Sequence, residues 1–245
     1  SNGGSSMSIK LNAQSGGSVA LDAPTQTTSS ADLTFKLPVA DGTAGQVLKT
    51  DGSSNLSFGS AAGPGQIIET VAGMCDGRSV TVSSGTYTLG NVTAVQALTA
   101  TYTDLTGSSI AYTPPTGTKA LIYEFDFLWN AATLSGIAYH QILIDGTVVT
   151  PSKTCVAADY NSYHHSHQAQ TAYWVFDLSV GSNDYANGKV QGSAWTSNKT
   201  IKVQMRESDN SSYNCVIHEN DFMDGTTASG SARLRIPKLQ ITAIA

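Results

Sequence analysis

The residues best equipped for chemistry fall in one short run, Tyr163-His164-His165-Ser166-His167, which holds three of the five histidines. On a strand, His165 and His167 share one face and His164 takes the other, because successive side chains alternate sides. If three chains presented His165 and His167 to a threefold axis, the imidazoles would make an octahedral set suited to a transition metal. A polar surface loop or outer strand between Asn161 and Gln170 accounts for the same residues without a metal, since His-rich composition alone does not establish ligation. No cofactor is therefore expected, and His165 with His167 are the metal candidates should an ion occupy such an axis.

A second candidate is the pair Glu124 and Asp126, two apart on one strand face. That spacing puts the carboxylates within about 7 Å, near the separation used by glycosidases. Such pairs are common on solvent-facing strands, and a catalytic site needs several converging groups. No GxSxG, HExxH or P-loop accompanies them. The chain is accordingly read as non-enzymatic. Glu219, Asp221 and Asp224 in HENDFMDG are rich in oxygen but depart from the spacing of a calcium-binding EF-hand loop, so a solvated loop is expected. Among the aromatics Tyr173, Trp174, Tyr185 and Trp195, Trp174 is assigned to a core. The polar flanks of Trp195, GSAWTSNKT, predict exposure and make it the candidate glycan-binding residue.

Composition narrows the partners. Of 245 residues only 13% are charged, 13 basic against 18 acidic, which leaves no basic footprint for nucleic acid. No run approaches the ~18 to 20 apolar residues that span a bilayer, and SNGGSSMSIK lacks the apolar core of a secretory signal. A soluble chain without membrane insertion is expected. Cys75, Cys155 and Cys215 are too few for a disulfide framework; they are expected as buried thiols, with a Cys155 to Cys215 pairing left open. Ser, Thr, Gly, Asn and Ala dominate, and long stretches of helix formers are missing.

The elements that must position these residues read as strands. Ser1 to about Thr28 is polar and Gly- and Ser-rich, an extended or disordered arm. In LTFKLPVADGTAGQVLKTDGSSNLSF, residues 33 to 58, Leu33, Phe35 and Leu37 alternate with polar residues until Pro38, the pattern of a strand with one buried face. Gln46 to Thr50 and Asn55 to Phe58 flank Asp51-Gly52, a dipeptide suited to a tight reversal. So small a module cannot bury its apolar face alone. The cluster GSAAGPG, residues 59 to 65, is a breaker, and the boundary is placed there: residues 1 to 62 form an arm and anchoring module, residues 63 to 245 a second domain.

Past the boundary, strand signals recur at short intervals: Ile67 to Val71, Ser79 to Val82, Val95 to Tyr102, Ile110 to Tyr112, Ala120 to Trp129, Ile137 to Ile144, Thr147 to Thr150, Gln170 to Leu178, Ile201 to Met205, Asn214 to His218 and Leu234 to Ile244. A β-sandwich or barrel is predicted. Asp145-Gly146 between QILI and TVVT marks a type I′ hairpin. In KALIYEFDFLW, Leu121, Tyr123, Phe125, Phe127 and Trp129 face one side, and Ile122, Glu124, Asp126 and Leu128 the other. Pro237, in the last run, predicts an edge position or a bulge because it cannot donate to a ladder.

The segment of residues 33 to 58 resembles a module that recurs in virion appendage proteins of tailed bacteriophages, particularly marine and cyanobacterial ones. AYTPPTGTKALIYEFDF, followed by the LIDGT hairpin, resembles the start of jelly-roll domains in the same kind of phage structural protein. The first match covers about a tenth of the chain. The resemblance implies an all-β homotrimer: an N-terminal extended arm and β-hairpin stem module docking on other virion proteins, and a C-terminal jelly-roll-like β-sandwich presented outward. It implies a structural surface protein of the virion, a short tail or head fibre for host-surface adhesion, with a host surface glycan as a partner. It also offers precedent for His-x-His pairs at trimeric tips. The physical reading agrees, because a hairpin unable to bury its own face becomes stable when copies wind about one axis, with Leu33, Phe35, Leu37, Val47, Leu48, Leu56 and Phe58 forming the trimer. A capsid decoration protein remains open, as does, in a different class, a polysaccharide-degrading tailspike-like enzyme.

Overall fold

The computed structural model describes residues 9–12, 15–21, 24–43, 45–131, 136–158, 166–209, 214–222 and 231–245. Contacts divide the chain into one unit of Ser1–Ala61 and another of Ala62–Ala245. The regular elements of the described residues are strands and short 3-10 turns.

In the first unit, β1 (Ile9–Asn12) pairs antiparallel with β2 (Ser18–Leu21), so the arm forms a hairpin where composition alone suggests a disordered or extended segment. A second hairpin joins β3 (Gln46–Thr50) to β4 (Leu56–Ser60). Its ladder closes at Thr50 and Leu56, so Asp51-Gly52 is not the expected two-residue reversal but opens a longer loop. Asp51 organises that loop: its carboxylate accepts the N–H of Ser53 at 2.7 Å and of Asn55 at 3.1 Å, and the Asn55 amide at 2.6 Å. Such side-chain bonding to nearby backbone competes with a tight turn. The Leu33 to Leu37 segment, predicted as a strand, pairs only around Lys36, whose N–H donates to the Ser54 carbonyl and whose carbonyl accepts from Leu56, both at 2.8 Å. One neighbour supplies one bridge, and a ladder needs more.

The second unit contains β5 (Ile67–Met74), β6 (Ser79–Val82), β7 (Gly85–Thr88), β8 (Gln96–Ala97), β9 (Thr103–Asp104), β10 (Ile110–Tyr112), β11 (Ala120–Ala131), β12 (Gly136–Ile144), β13 (Thr147–Val148), β14 (Thr154–Ala158), β15 (Ser166–Asp177), β16 (Lys199–Glu207), β17 (Cys215–Ile217), β18 (Glu219–Phe222), β19 (Ser231–Leu234) and β20 (Lys238–Ile244). One sheet runs β5-β20-β11-β15, the other β10-β16-β12-β14, with every neighbour antiparallel. Taking these eight strands in chain order, the first pairs with the last, the second with the seventh, the third with the sixth and the fourth with the fifth. That nesting is a long hairpin rolled onto itself, the jelly roll. Short strands extend the frame: β17 pairs with the far end of β11 and with β8, β9 with β16, and β13 with β12. The β6–β7 and β18–β19 hairpins stand apart from both sheets.

Strand periodicity places the core between the sheets. Leu121, Tyr123, Phe125, Phe127 and Trp129 of β11 are buried against Ile142 and Ile144 of β12, Ile201, Val203 and Met205 of β16, and Leu239 and Ile241 of β20. Each such side chain contributes about 1.5–3 kcal/mol by leaving water. The Asp145-Gly146 turn is as expected: Ile144 pairs with Thr147, and both turn residues have positive φ, 46° and 80°. The expected Val95 to Tyr102 strand shrinks to β8. Pro237 is not on an edge. It sits buried in the break before β20, a central strand, and its carbonyl accepts the Cys75 N–H at 2.9 Å. Cys75 and Cys215 are buried, their thiols pushed up to about 11 and about 12 by burial. Cys155 is exposed, contrary to expectation, and no thiol is paired.

Candidate functional site

The first unit displays its apolar residues. Leu33, Phe35 and Leu37 are 62%, 63% and 76% exposed. Their segment is bonded to the hairpin only around Lys36, so its alternating apolar side chains stand on backbone outside any ladder. On the hairpin, Leu48 and Phe58 stand opposite each other on one face with half-buried Leu56, while Val47 projects from the other. Val47, Leu48 and Phe58 are all exposed. Gly42 lies against the Phe58 ring so closely that a Cβ there would come within 2.7 Å of it. Exposed apolar side chains on a segment held by one bridge are what another chain can cover.

The carboxylate pair lies on the outer face of the β5-β20-β11-β15 sheet. Asp126 accepts the Thr171 hydroxyl at 2.6 Å and pairs with Lys238 at 2.8 Å. That bond to Asp126 holds the Lys238 ammonium above its usual pKa. Glu124 lies across from Tyr173 on one side and Gln240 on the other. A groove of about 420 Å³ runs beside Asp126, bordered by Leu128, Arg235 and Lys238. Asp126 is thus half of a surface ion pair.

The other sequence candidates are dispersed. His167 lies on β15 opposite Asn130, whereas His165 falls outside the described residues. Among the described residues no group of three or more His, Cys, Asp or Glu side chains could hold a metal. HENDFMDG does not start as a loop: Glu219 and Asp221 belong to β18, and Asp224 lies outside the described residues. Glu219 accepts the Asn130 amide at 3.0 Å, which ties the strand to β11. Trp195 corrects the expectation of an exposed sugar shelf. It is 2% exposed, packed edge-on against Phe176, and its indole N–H donates to the Tyr112 carbonyl at 2.9 Å. The polar flank forms the 3-10 turn Gly192–Ala194, which faces water while the ring behind it turns inward.

A polar centre that sequence reading missed is built around Glu69 on β5. Its carboxylate accepts hydroxyls from Ser83 and Tyr112, each at 2.6 Å, the Ser84 hydroxyl, and the Ser84 N–H at 3.1 Å. Burial pushes the Glu69 pKa up, but the bonds from Ser83, Ser84 and Tyr112 outweigh it and hold the carboxyl below its ordinary value. The arrangement fastens the β6–β7 hairpin to β5 and β10. Within QIIET nothing distinguishes this Glu from a surface residue, because its donors come from remote positions.

No family model matches the chain, and no curated protein does. Among solved structures it is similar to a chain of infectious bursal disease virus, Gx strain, at 11% identity and a TM-score of 0.32 over 77% of this chain and 38% of that one. A chain of the Gt strain gives 14% identity and a TM-score of 0.24, covering 68% of this chain and 46% of that one. T=1 particles derived from infectious bursal virus give 14% and 0.23, covering 68% and 44%. The chain spans less than half the length of these chains.

Proposed function

We propose that the chain is a structural protein of a virion surface, a short homotrimeric fibre whose first unit assembles and anchors it and whose jelly roll is presented outward for adhesion. The observation that carries this reading is the row Leu33, Phe35 and Leu37, well over half exposed on a segment that the hairpin holds by a single bridge at Lys36. The second unit needs no such help, since the buried core lies within it. One unit therefore calls for a partner and the other supplies a finished surface. The sequence resemblance to phage appendage modules supports the virion as the place and the threefold as the symmetry. The polysaccharide-cleaving alternative rests on Glu124 and Asp126, and Asp126 is already engaged by Lys238 and Thr171.

The test is molar mass by light scattering, for the full chain and for residues 62 to 245. The full chain is expected at three times 25.5 kDa and the shorter one as a monomer. A monomeric full chain would overturn the fibre and favour capsid decoration, in which another virion protein covers the same apolar row.

A further inference from the structure

A cavity of about 250 Å³ opens where the edges of the two sheets meet, with β12 and β14 on one side and β15 on the other. His140 projects into it from the inward face of β12. The residue is 3% exposed, and neither ring nitrogen has a hydrogen-bond partner. Burial holds the imidazole down to about 4, so the ring is neutral at physiological pH and offers one donor and one acceptor. Buried polar groups are nearly always bonded, and an unpartnered imidazole facing a cavity marks a place for a bonded guest.

The remaining walls define that guest. Trp174 and Tyr173 contribute rings, Pro151 an apolar surface, and Thr154 and Gln170 polar groups. The indole nitrogen of Trp174 is packed against Gly188, where a Cβ would approach within 1.9 Å, so the indole gives the cavity its ring and not its N–H. Tyr173 is 64% exposed at the rim. Among the described residues no Lys, Arg, Asp or Glu lines the cavity, which disfavours phosphate, carboxylate and ammonium ligands alike. Its volume lies below the roughly 300–1,000 Å³ of drug-sized sites, enough for one ring and not for an oligomer. Rings for a C–H face, together with a neutral group that both donates and accepts, are complementary to a hydroxyl-bearing ring.

We propose that this cavity binds one neutral sugar residue, a hydroxyl of which donates to and accepts from His140 while its apolar face lies on Trp174, with Tyr173 at the rim. The inference deepens the adhesion reading and rests on it only for the source of the sugar, a glycan on a host surface.

The test uses the full chain with ¹⁵N-labelled histidine. Methyl glycosides of glucose, galactose, N-acetylglucosamine and rhamnose are titrated in, with N-acetylneuraminic acid as the anionic comparison. A saturable shift of the His140 ring nitrogens with at least one neutral glycoside, and none with the acid, is expected. His140→Phe should abolish binding. Because that variant alters a buried site, Tyr173→Ala at the exposed rim is the second probe, expected to weaken affinity about three- to tenfold. No His140 response to any neutral glycoside, or an equal response to the acid, would overturn the proposal. Light scattering on the same samples separates the two readings: a trimer that binds no sugar refutes this site alone, and a monomer that binds sugar refutes the fibre alone.

Discussion

Replacing Phe35 with Ser tests the assembly argument at its most sensitive point. Phe35 is 63% exposed, and full burial of such a side chain is worth about 1.5–3 kcal/mol, so covering the part still in water would contribute about 1–2 kcal/mol per chain. Three symmetric copies lose roughly 3–6 kcal/mol together, which raises the trimer's dissociation constant by about 10²- to 10⁴-fold at 1.4 kcal/mol per decade. Because a trimer's midpoint concentration varies as the square root of that constant, light scattering or sedimentation over a dilution series should show a midpoint displaced about 10- to 100-fold. Val175→Ser is the control, since Val175 is 50% exposed on β15 of the other unit and should leave the midpoint alone. A Phe35→Ser midpoint within tenfold of the parent would refute the idea that this row is the interface.

Other outcomes follow from the second unit. Glu69→Ala strands the Ser83, Ser84 and Tyr112 donors, each buried donor left unpaired costing about 1–3 kcal/mol, and should cost about 3–5 kcal/mol in all, a fall of roughly 6–20 °C in the melting midpoint for a unit of this size, read by calorimetry. The folded Glu69 pKa lies below that of an unfolded glutamate, so its contribution is full above the unfolded value and lost as pH falls through the folded one. Acid melts should therefore narrow the gap between the parent and Glu69→Ala. Trp195→Ala should cost about 3–5 kcal/mol by opening a cavity beside Phe176, whereas an exposed Trp would cost almost nothing. Asp126→Asn removes a half-exposed ion pair and should shift stability by no more than about 1 kcal/mol in urea titrations.

What could be read in advance follows the range of the interaction. The alternation in KALIYEFDFLW exposes β11 and its buried face, since period-two patterning belongs to the strand itself. The Asp145-Gly146 hairpin is equally local. β14, TCVAA, has little apolar alternation and escapes notice, as does β7, GTYT. Trp195 misleads because its neighbours in sequence are polar while its neighbours in space are Phe176 and the Tyr112 carbonyl. His140 sits in AYHQILI as an unremarkable strand residue, and its isolation depends on which side chains β15 brings across the gap between the sheets. The nesting of the eight strands is no more visible, because pairing β5 with β20 joins positions at opposite ends of the second unit.

That central placement of β20 bears on the order in which the molecule is made. β5 and β11 do not pair with each other; β20 lies between them and bonds to both. Their sheet stays divided until residues 238 to 244 have left the ribosome, and such distant closures are slow. The β3–β4 hairpin closes over a few residues and emerges much earlier. Neighbouring nascent chains on one message can thus meet through Leu33, Phe35 and Leu37 while their jelly rolls are still open. Trimers built this way would draw all three chains from a single transcript, so two tagged alleles translated together should yield few mixed particles.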